Sequence, residues 1–308
     1  MKYYDSVLQL IGNTPLVKLN NIKTSKRLYG NIYAKVEFFN PGGSIKDRIA
    51  YAMIIKAEKS GLLNSETTIY EPTSGNTGIG AALIGAAKGY KVVIVMPDSV
   101  SIERRKLIKA YGAEVILTKG EEGMLGSISK VEELMNDDPN SITLAQFVNP
   151  ENPYTHYENT GKEIYDDLEG QVDVFVSAVG TGGTISGAGK YLKERNPNIE
   201  VVAVEPEDSP VLSKGVAGKH IIQGIGAGFV PLTLNTDIYD QIVTVSGDDA
   251  ILNTRYLAEN EGILCGISSG AALTVAINLA KEKKYTDKNI IVILADTGER
   301  YLSTEVFE

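Results

Sequence analysis

The sequence predicts an α/β fold of two lobes, each a mostly parallel, twisted sheet flanked by helices. Short apolar runs of strand character alternate with helical runs along most of the 308 residues. This alternation is typical of parallel sheets covered by helices. It forms two series, separated by an Asn-Pro-Glu-Asn-Pro stretch at residues 149–153. Glycine-rich loops also join several predicted strands to the helices that follow them, where ligands of open α/β sheets collect.

The first series has its clearest helix after residue 43. Ile49, Ala50, Met53 and Ile54 recur at helical spacing, and Gly61 ends the run. Runs rich in β-branched and aromatic residues predict the strands. In order, the predicted elements are strands 16–19 and 32–37, helix 49–57, strand 68–71, helix 77–88, strand 92–96, helix 101–111, strand 114–118, helix 123–135 and strand 144–148.

The second series contains a nearly continuous apolar run over residues 174–179, as in a strand that is buried on both faces. An irregular, glycine-rich stretch covers residues 215–231. The predicted elements are helix 153–168, strand 172–179, helix 184–194, strands 201–205 and 242–245, helices 248–261 and 269–281, and strand 290–294.

Composition excludes several classes of function. Lysine and arginine number 30 against 39 aspartate and glutamate, and the net charge of −9 disfavours nucleic-acid and membrane partners. The first ten residues do not resemble a signal peptide, and no apolar run is long enough to span a membrane. The single cysteine excludes an internal disulfide, and no metal-ligand motif is present. We therefore expect a cytoplasmic protein without a metal.

Lys46 has an unusual place in the sequence. It follows the turn Asn40-Pro41-Gly42-Gly43 and opens a helix, with Ser44 and Asp47 approximating a capping box. The exposed N–H groups at a helix start disfavour a cation and lower a lysine pKa. A lysine depleted of its proton can form a Schiff base. The alternative is a solvated lysine whose stem covers the helix end.

The second glycine-rich loop, Gly180-Thr181-Gly182-Gly183-Thr184, is the best phosphate candidate. It follows the apolar strand, its glycines admit an anion close to the backbone, and a helix N-terminus comes next. The spacing matches neither a dinucleotide fingerprint nor a P-loop, so it indicates a single phosphate. A tight turn that binds nothing is the open alternative.

Two further loops carry more hydroxyl and amide groups than a turn needs. The stretch from Glu71 to Gly78 contains Thr73, Ser74, Asn76 and Thr77, which can cradle a carboxylate or simply cap a helix. In the loop of residues 266–270, we expect one of the two serines to be an N-cap and the other to face a ligand. Together with Lys46 and a phosphate site, a carboxylate cradle points to pyridoxal phosphate chemistry on an amino acid.

The same stretches resemble the cysteine synthase (O-acetylserine sulfhydrylase) and cystathionine β-synthase family. The resemblance rests on motifs in the family's order along nearly the full length: Ile11–Pro15, Asn40–Arg48, Glu71–Gly78, Met96–Pro97, Ser101–Arg105, Gly180–Thr184, Gln223–Gly228, Gly266–Gly270 and Gly298–Ser303. It implies pyridoxal 5'-phosphate between two lobes. The smaller, mobile lobe would span residues 44–148, and the larger, cofactor-anchoring lobe residues 1–43 and 149–308.

The resemblance also assigns roles to residues. Lys46 would hold the cofactor as an aldimine and act as the catalytic base. Ser268 would face the pyridine nitrogen, and Asn76 the ring hydroxyl. The phosphate site would comprise Gly180, Thr181, Gly182, Gly183 and Thr184. The substrate carboxylate site would comprise Thr73, Ser74, Asn76, Thr77 and Gln146.

The implied reaction is replacement of the β-substituent of an O-acetylserine-like amino acid by sulfide, giving cysteine through an aminoacrylate intermediate. The alternatives use cysteine or serine as donor, for cystathionine or lanthionine synthesis or for cysteine desulfhydration that releases hydrogen sulfide. A nicotinamide oxidoreductase is disfavoured because the dinucleotide fingerprint is absent. The family also implies a homodimer and a possible serine acetyltransferase partner.

One departure from the family pattern concerns residues 295–298. The family often has Pro-Ser before its Gly-Glu-Arg stretch, whereas this chain has Ala295-Asp296-Thr297. We favour a turn-capping role for Asp296. The alternative is that Asp296 faces the pocket and tunes the choice of donor.

Overall fold

The computed structural model describes residues 3–73 and 75–308. The elements of its first half are β1 (Leu16–Lys18), α1 (Asn20–Lys26), β2 (Asn31–Val36), α2 (Lys46–Lys59), β3 (Thr68–Pro72), α3 (Asn76–Lys88), β4 (Lys91–Pro97), α4 (Ile102–Ala110), β5 (Glu114–Thr118), α5 (Gly123–Asp137) and β6 (Ser141–Ile142). The buried residues of α2 include Ile49, Ala50, Met53 and Ile54, so the periodic face predicted from the sequence is confirmed.

The second half begins with an unusual helix. Its α6 (Glu151–Thr155) runs through a π-helical segment (His156–Gly161) into α7 (Lys162–Asp167). The remaining elements are β7 (Val174–Ala178), α8 (Gly183–Arg195), β8 (Glu200–Pro206), α9 (Val211–Lys214), β9 (Gln241–Val245), α10 (Gly247–Glu261), α11 (Ile267–Ala280) and β10 (Asn289–Leu294).

The strands form two sheets. One sheet has four parallel strands in the order β5-β4-β3-β6. The other has six in the order β1-β2-β10-β7-β8-β9, all parallel except the β1–β2 pair. Separate clusters of buried apolar side chains pack against the two sheets, with Met53, Ile79 and Ile94 at the four-stranded sheet and Val176, Ala276 and Val292 at the six-stranded sheet. The predicted α/β class with two mostly parallel sheets is confirmed.

One local prediction is wrong, and one helix was not predicted. Residues 144–148, predicted as a strand, form a turn after the short β6, and Ala145 there adopts a left-handed φ of 54°. A buried carboxylate, described below, takes the N–H groups that a strand would offer to its neighbour. The helix α1 was not predicted because its sequence is mostly polar and only Ile22 is buried. No described helix is long and apolar enough to cross a membrane.

The topology brings the glycine-rich loops together. In parallel strands the carboxyl ends lie at one edge of the sheet, and the glycine-rich loops after β3 and β7 leave from such edges. The loop of residues 266–270 instead follows α10 and opens α11. The loops after β3 and after β7 line one cavity of about 540 Å³, which also receives Ile45 and Lys46 from the start of α2.

Candidate active site

Lys46 is the first residue of α2 and lies on the cavity wall. Its backbone N–H donates to Ser44 Oγ at 3.2 Å, but the N-cap of α2 is Ile45 and its side chain does not cap the helix, so the predicted capping box of Ser44 and Asp47 is wrong. The Asp47 carboxylate instead accepts the N–H of Gly42 at 2.6 Å and so braces the turn before the helix. Helix start and turn are thus fixed together, and Lys46 projects from their junction.

The pKa of Lys46 is lowered, as the sequence predicts, but the main cause is different. Desolvation in the protein interior is the largest effect, and the charges of Asp296 and Glu37 oppose it. Burial therefore favours the neutral, nucleophilic amine, while the nearby carboxylates leave the ammonium form accessible. A lysine whose neutral amine and ammonium forms are both accessible can accept a proton and later donate it.

The proposed phosphate loop connects β7 to α8. Gly182 has a left-handed φ of 81°, and a side chain at Gly180 or Gly183 would collide with Gly224 O or with Asn152 Oδ1. No side chain caps the first turn of α8, so its N–H groups face the loop without a competing acceptor. A small enclosed space beside this loop is lined by Lys46, Gly180, Thr181, Gly182, Thr184 and Ser268.

The backbone and hydroxyl groups of this loop fit a phosphate. Glycine is required for the close approach of backbone to anion, and the helix start offers partial positive charge. Thr184 Oγ1 lies 3.3 Å from Nε2 of His156, whose pKa burial lowers well below its usual value. The neutral imidazole can therefore orient the Thr184 hydroxyl without adding a charge. No motif around His156 in the sequence indicates this role.

The predicted carboxylate cradle is partly assembled. Thr77 Oγ1 donates to Gln146 Oε1 at 2.6 Å, which joins the start of α3 to the turn after β6. Thr73, Asn76, Thr77 and Gln146 all line the cavity. Ser74 lies outside the described residues. The structure thus brings four of the five predicted substrate residues to one wall, although their contact with a substrate stays a prediction.

Asn76 has partners that the sequence did not suggest. Its Nδ2 donates to Asp296 Oδ2 at 2.7 Å, and its Oδ1 accepts from Arg300 Nη1 at 2.5 Å. Both partners follow β10, whereas Asn76 begins α3 of the other sheet. The amide therefore spans the cleft between the two sheets.

Ser268 lies in the first turn of α11, is 5% exposed and lines the cavity. The expectation that one of the two serines caps this helix is wrong, because its N-cap is Gly266 and no side chain caps it. Ser269 Oγ instead accepts the N–H of Ala295 at 3.0 Å. Ser268 lies on the cavity wall, and its contact with a ligand stays a prediction.

Two positioning residues were missed by sequence reasoning. Glu71 Oε2 accepts from Thr143 Oγ1 and from the N–H groups of Leu144 and Ala145 at 3.0 to 3.2 Å, which fixes the turn that presents Gln146. Asn152 Nδ2 donates both to Gln146 O at 2.8 Å and to Thr181 Oγ1 at 3.0 Å. Asn152 therefore links the carboxylate wall to the phosphate loop. An asparagine between two prolines was the only available signal, and we interpreted it as a boundary.

The titration of Glu71 gives a testable pH dependence. Burial raises its pKa from 4.5 to about 7, against the hydrogen bonds that favour the charged form. The folded state then binds a proton that the unfolded state releases, so this contribution to stability is full below pH 4.5 and is lost as pH rises through about 7. Between pH 5 and pH 8 the free energy of unfolding of the parent should therefore fall by roughly 3 kcal/mol more than that of Glu71→Gln. Chemical denaturation at a series of pH values measures this difference.

The exposed Glu66 provides the control for that experiment. Glu66→Gln should keep the parent's slope, because its carboxylate is in solvent. An equal slope in Glu71→Gln and the parent would show that Glu71 does not change its protonation in this range.

Comparison with known proteins agrees with this geometry. A family model described as pyridoxal-phosphate dependent enzyme matches residues 7–296. The chain belongs to this family. Members of it bind the cofactor that the lysine, the phosphate loop and the cavity fit, so the predicted cofactor, pyridoxal 5'-phosphate, is confirmed at the level of the family.

Individual members of the pyridoxal-phosphate dependent family are similar over the full length. A cysteine synthase of Staphylococcus aureus is 53% identical over 307 residues, covering 99% of this chain and 98% of that protein. The crystal structure of a hydrogen sulfide-producing enzyme from Fusobacterium nucleatum has a TM-score of 0.94 and 50% identity, covering 97% of this chain and 100% of that one. A cysteine synthase structure from Entamoeba histolytica has a TM-score of 0.95 and 42% identity, covering 99% of this chain and 91% of that one.

Proposed function

We propose that this enzyme replaces the β-substituent of an O-acetylserine-like amino acid with sulfide and so makes cysteine. The observation that carries the proposal is the meeting of Lys46, the phosphate loop and the Thr77–Gln146 pair on one cavity. Similarity over the full length to cysteine synthases supports the choice of reaction.

The proposed chemistry assigns a task to each wall of the cavity. Bound there, pyridoxal 5'-phosphate would supply an aldehyde for the substrate amine and an electron sink for the charge left at Cα. Lys46, with its lowered pKa, would take the Cα proton and hold it as an ammonium close to Asp296. Thr73, Ser74, Thr77 and Gln146 would hold the substrate carboxylate.

The remaining predicted residues would hold the cofactor. Gly180, Thr181, Gly182, Gly183 and Thr184 would bind its phosphate, and Asn76 its ring hydroxyl. Ser268 presents a neutral hydroxyl, and a neutral partner at the pyridine nitrogen moderates the electron sink, which suits loss of a β-group. Movement of the lobe of residues 44–148 over the bound substrate would exclude water.

A second candidate reaction uses cysteine as the donor and releases hydrogen sulfide. It is favoured by the 50% identity to the hydrogen sulfide-producing enzyme of Fusobacterium nucleatum. The same residues serve both reactions, since only the leaving group and the nucleophile differ. Synthesis of lanthionine or cystathionine would follow if a thiol, rather than water, then adds.

Assays with matched donors and acceptors separate these reactions. The purified holoenzyme is given O-acetylserine with sulfide, cysteine alone, and serine or cysteine with a thiol, and both sulfide and amino-acid products are measured. We expect kcat/KM for cysteine formation from O-acetylserine to exceed the other reactions by more than about tenfold, a difference of about 1.4 kcal/mol in transition-state stabilisation. Faster sulfide release from cysteine alone would reverse the order of the two proposals.

Three further predictions from the sequence stay proposals. We infer a homodimer, as the family resemblance implies, and a cytoplasmic location. A serine acetyltransferase is the proposed protein partner, through insertion of its tail into the active site. Native mass measurements with and without that partner address both assemblies.

A further inference from the structure

Asp296 occupies the point where several walls of the cavity meet. Its backbone forms an antiparallel bridge with Ser44, two residues before Lys46. Its carbonyl accepts the N–H of Gly266 at 3.0 Å, at the N-cap of the helix that carries Ser268. Backbone hydrogen bonds thus tie Asp296, the second residue after β10, to the turn that precedes Lys46 and to the start of α11.

The side chain points inward and does not cap a turn. Thr297 performs the capping, because its Oγ1 accepts the N–H of Glu299, so the favoured sequence interpretation of Asp296 is wrong. Asp296 is 1% exposed, and its Oδ2 accepts from Asn76 Nδ2 at 2.7 Å and from Tyr301 OH at 2.8 Å. Its Oδ1 has no hydrogen-bond partner among the described residues.

These contacts leave the Asn76 amide a single orientation. One edge faces a carboxylate, which only accepts, and the other faces the guanidinium of Arg300, which only donates. A rotated amide would place its oxygen against the carboxylate and its NH2 against the guanidinium, which makes two repulsive contacts. The observed orientation uses one N–H of Nδ2 and leaves the second for an acceptor in the cavity.

We propose that Asp296 is a positioning residue that fixes the Asn76 amide across the cleft and thereby presents an N–H donor to an anionic ring oxygen of the bound cofactor. The inference rests on the proposed function, because it requires the cofactor at Asn76. Asp296 itself does not contact the substrate in this inference and acts only through Asn76. The inference requires an oxygen acceptor at position 296 rather than the negative charge itself, because the Arg300 guanidinium already holds the Asn76 oxygen on the opposite edge of the amide.

The test compares two kinds of replacement in the holoenzyme without any substrate. Asp296→Ala and Asp296→Val remove the acceptor, and we expect a shifted cofactor absorption maximum and about a tenfold faster cofactor dissociation. Asp296→Asn retains an oxygen that can accept from Asn76, and it should stay within about twofold of the parent. Tyr301→Phe removes the other donor to the same oxygen and should leave the spectrum unchanged.

A double-mutant cycle then asks whether Asp296 acts through Asn76. Asn76→Ser should change the spectrum and the dissociation rate as Asp296→Ala does, and combining the two should add nothing further. Additive effects, or equal effects of the alanine and asparagine replacements at 296, would overturn the inference.

The spectrum separates this inference from the proposed function. A parent protein that binds no cofactor contradicts the proposed function and, with it, the inference. A parent that binds cofactor, together with unchanged spectra in both Asp296→Val and Asp296→Ala, contradicts the inference alone. Because two acceptor-free variants are used, misfolding of one leaves the other to decide.

Discussion

Replacement of Lys46 by alanine is expected to remove the visible absorbance of lysine-bound cofactor and to lower turnover by at least about 10²- to 10⁴-fold. The side chain lies on the cavity wall with a lowered pKa, so the variant loses both the amine that can bond to an aldehyde and the base nearest the substrate. Absorbance spectra and steady-state rates of the purified protein measure the two losses separately.

Lys59 supplies the matched control for this prediction. It ends the same helix, α2, and is exposed to solvent. Lys59→Ala should keep both the spectrum and the rate of the parent. Borohydride reduction of the parent should fix the cofactor to a peptide containing Lys46. Retained turnover in Lys46→Ala, or a label on another lysine, would refute the assignment.

The fold could be predicted from the sequence wherever local pattern and final burial coincide. The α2 face of Ile49, Met53 and Ile54 and the apolar run of β7 are such cases, because periodicity alone identifies the buried side. The turn at residues 144–148 could not be predicted this way. Its residues have strand character, and the acceptor that bends them, Glu71, lies 73 positions earlier than Leu144.

The candidate site divides in the same manner. The glycine-rich loops and Lys46 carry their chemistry in contiguous residues, so a single sequence suffices to propose them. Asn152 and Asp296 act through partners that are distant in sequence, such as Thr181 and Asn76, which lie 29 and 220 positions away. Pairings at such separations depend on which strands are neighbours, and that order is a property of the assembled sheets.

A buried network of charges anchors the other side of α2. Arg48, 2% exposed, donates from Nε to Glu37 Oε2 at 2.7 Å and from Nη1 to Glu163 Oε1 at 2.7 Å. Lys35, which is fully buried, adds an ion pair to Glu163 at 2.9 Å. Thr14 Oγ1 donates to Glu37 Oε1 at 2.6 Å, which gives the Ile11–Pro15 motif a structural role.

Removal of Arg48 from this network should be among the most destabilising single changes in the protein. Arg48→Met keeps much of the volume but leaves the buried Glu37 and the partly buried Glu163 without their main partner, and we expect a loss of about 3–5 kcal/mol in the free energy of unfolding. Urea denaturation measures this loss. Lys162→Met, which breaks the exposed pair between Lys162 and Asp166, is the control and should change little.

The pH dependence of the same variant tests the electrostatic cause directly. Burial alone would raise the pKa of Glu163, but its hydrogen bonds and charge interactions with Arg48 and Lys35 lower it to about 2. Its stabilising contribution is therefore present above pH 4.5 and is lost as pH falls through about 2. Without Arg48 that contribution shrinks, so the stability gap between parent and Arg48→Met should narrow as pH falls below 4.5. A gap that stays constant with pH would mean that lost packing of α2, rather than unpaired charge, sets the cost.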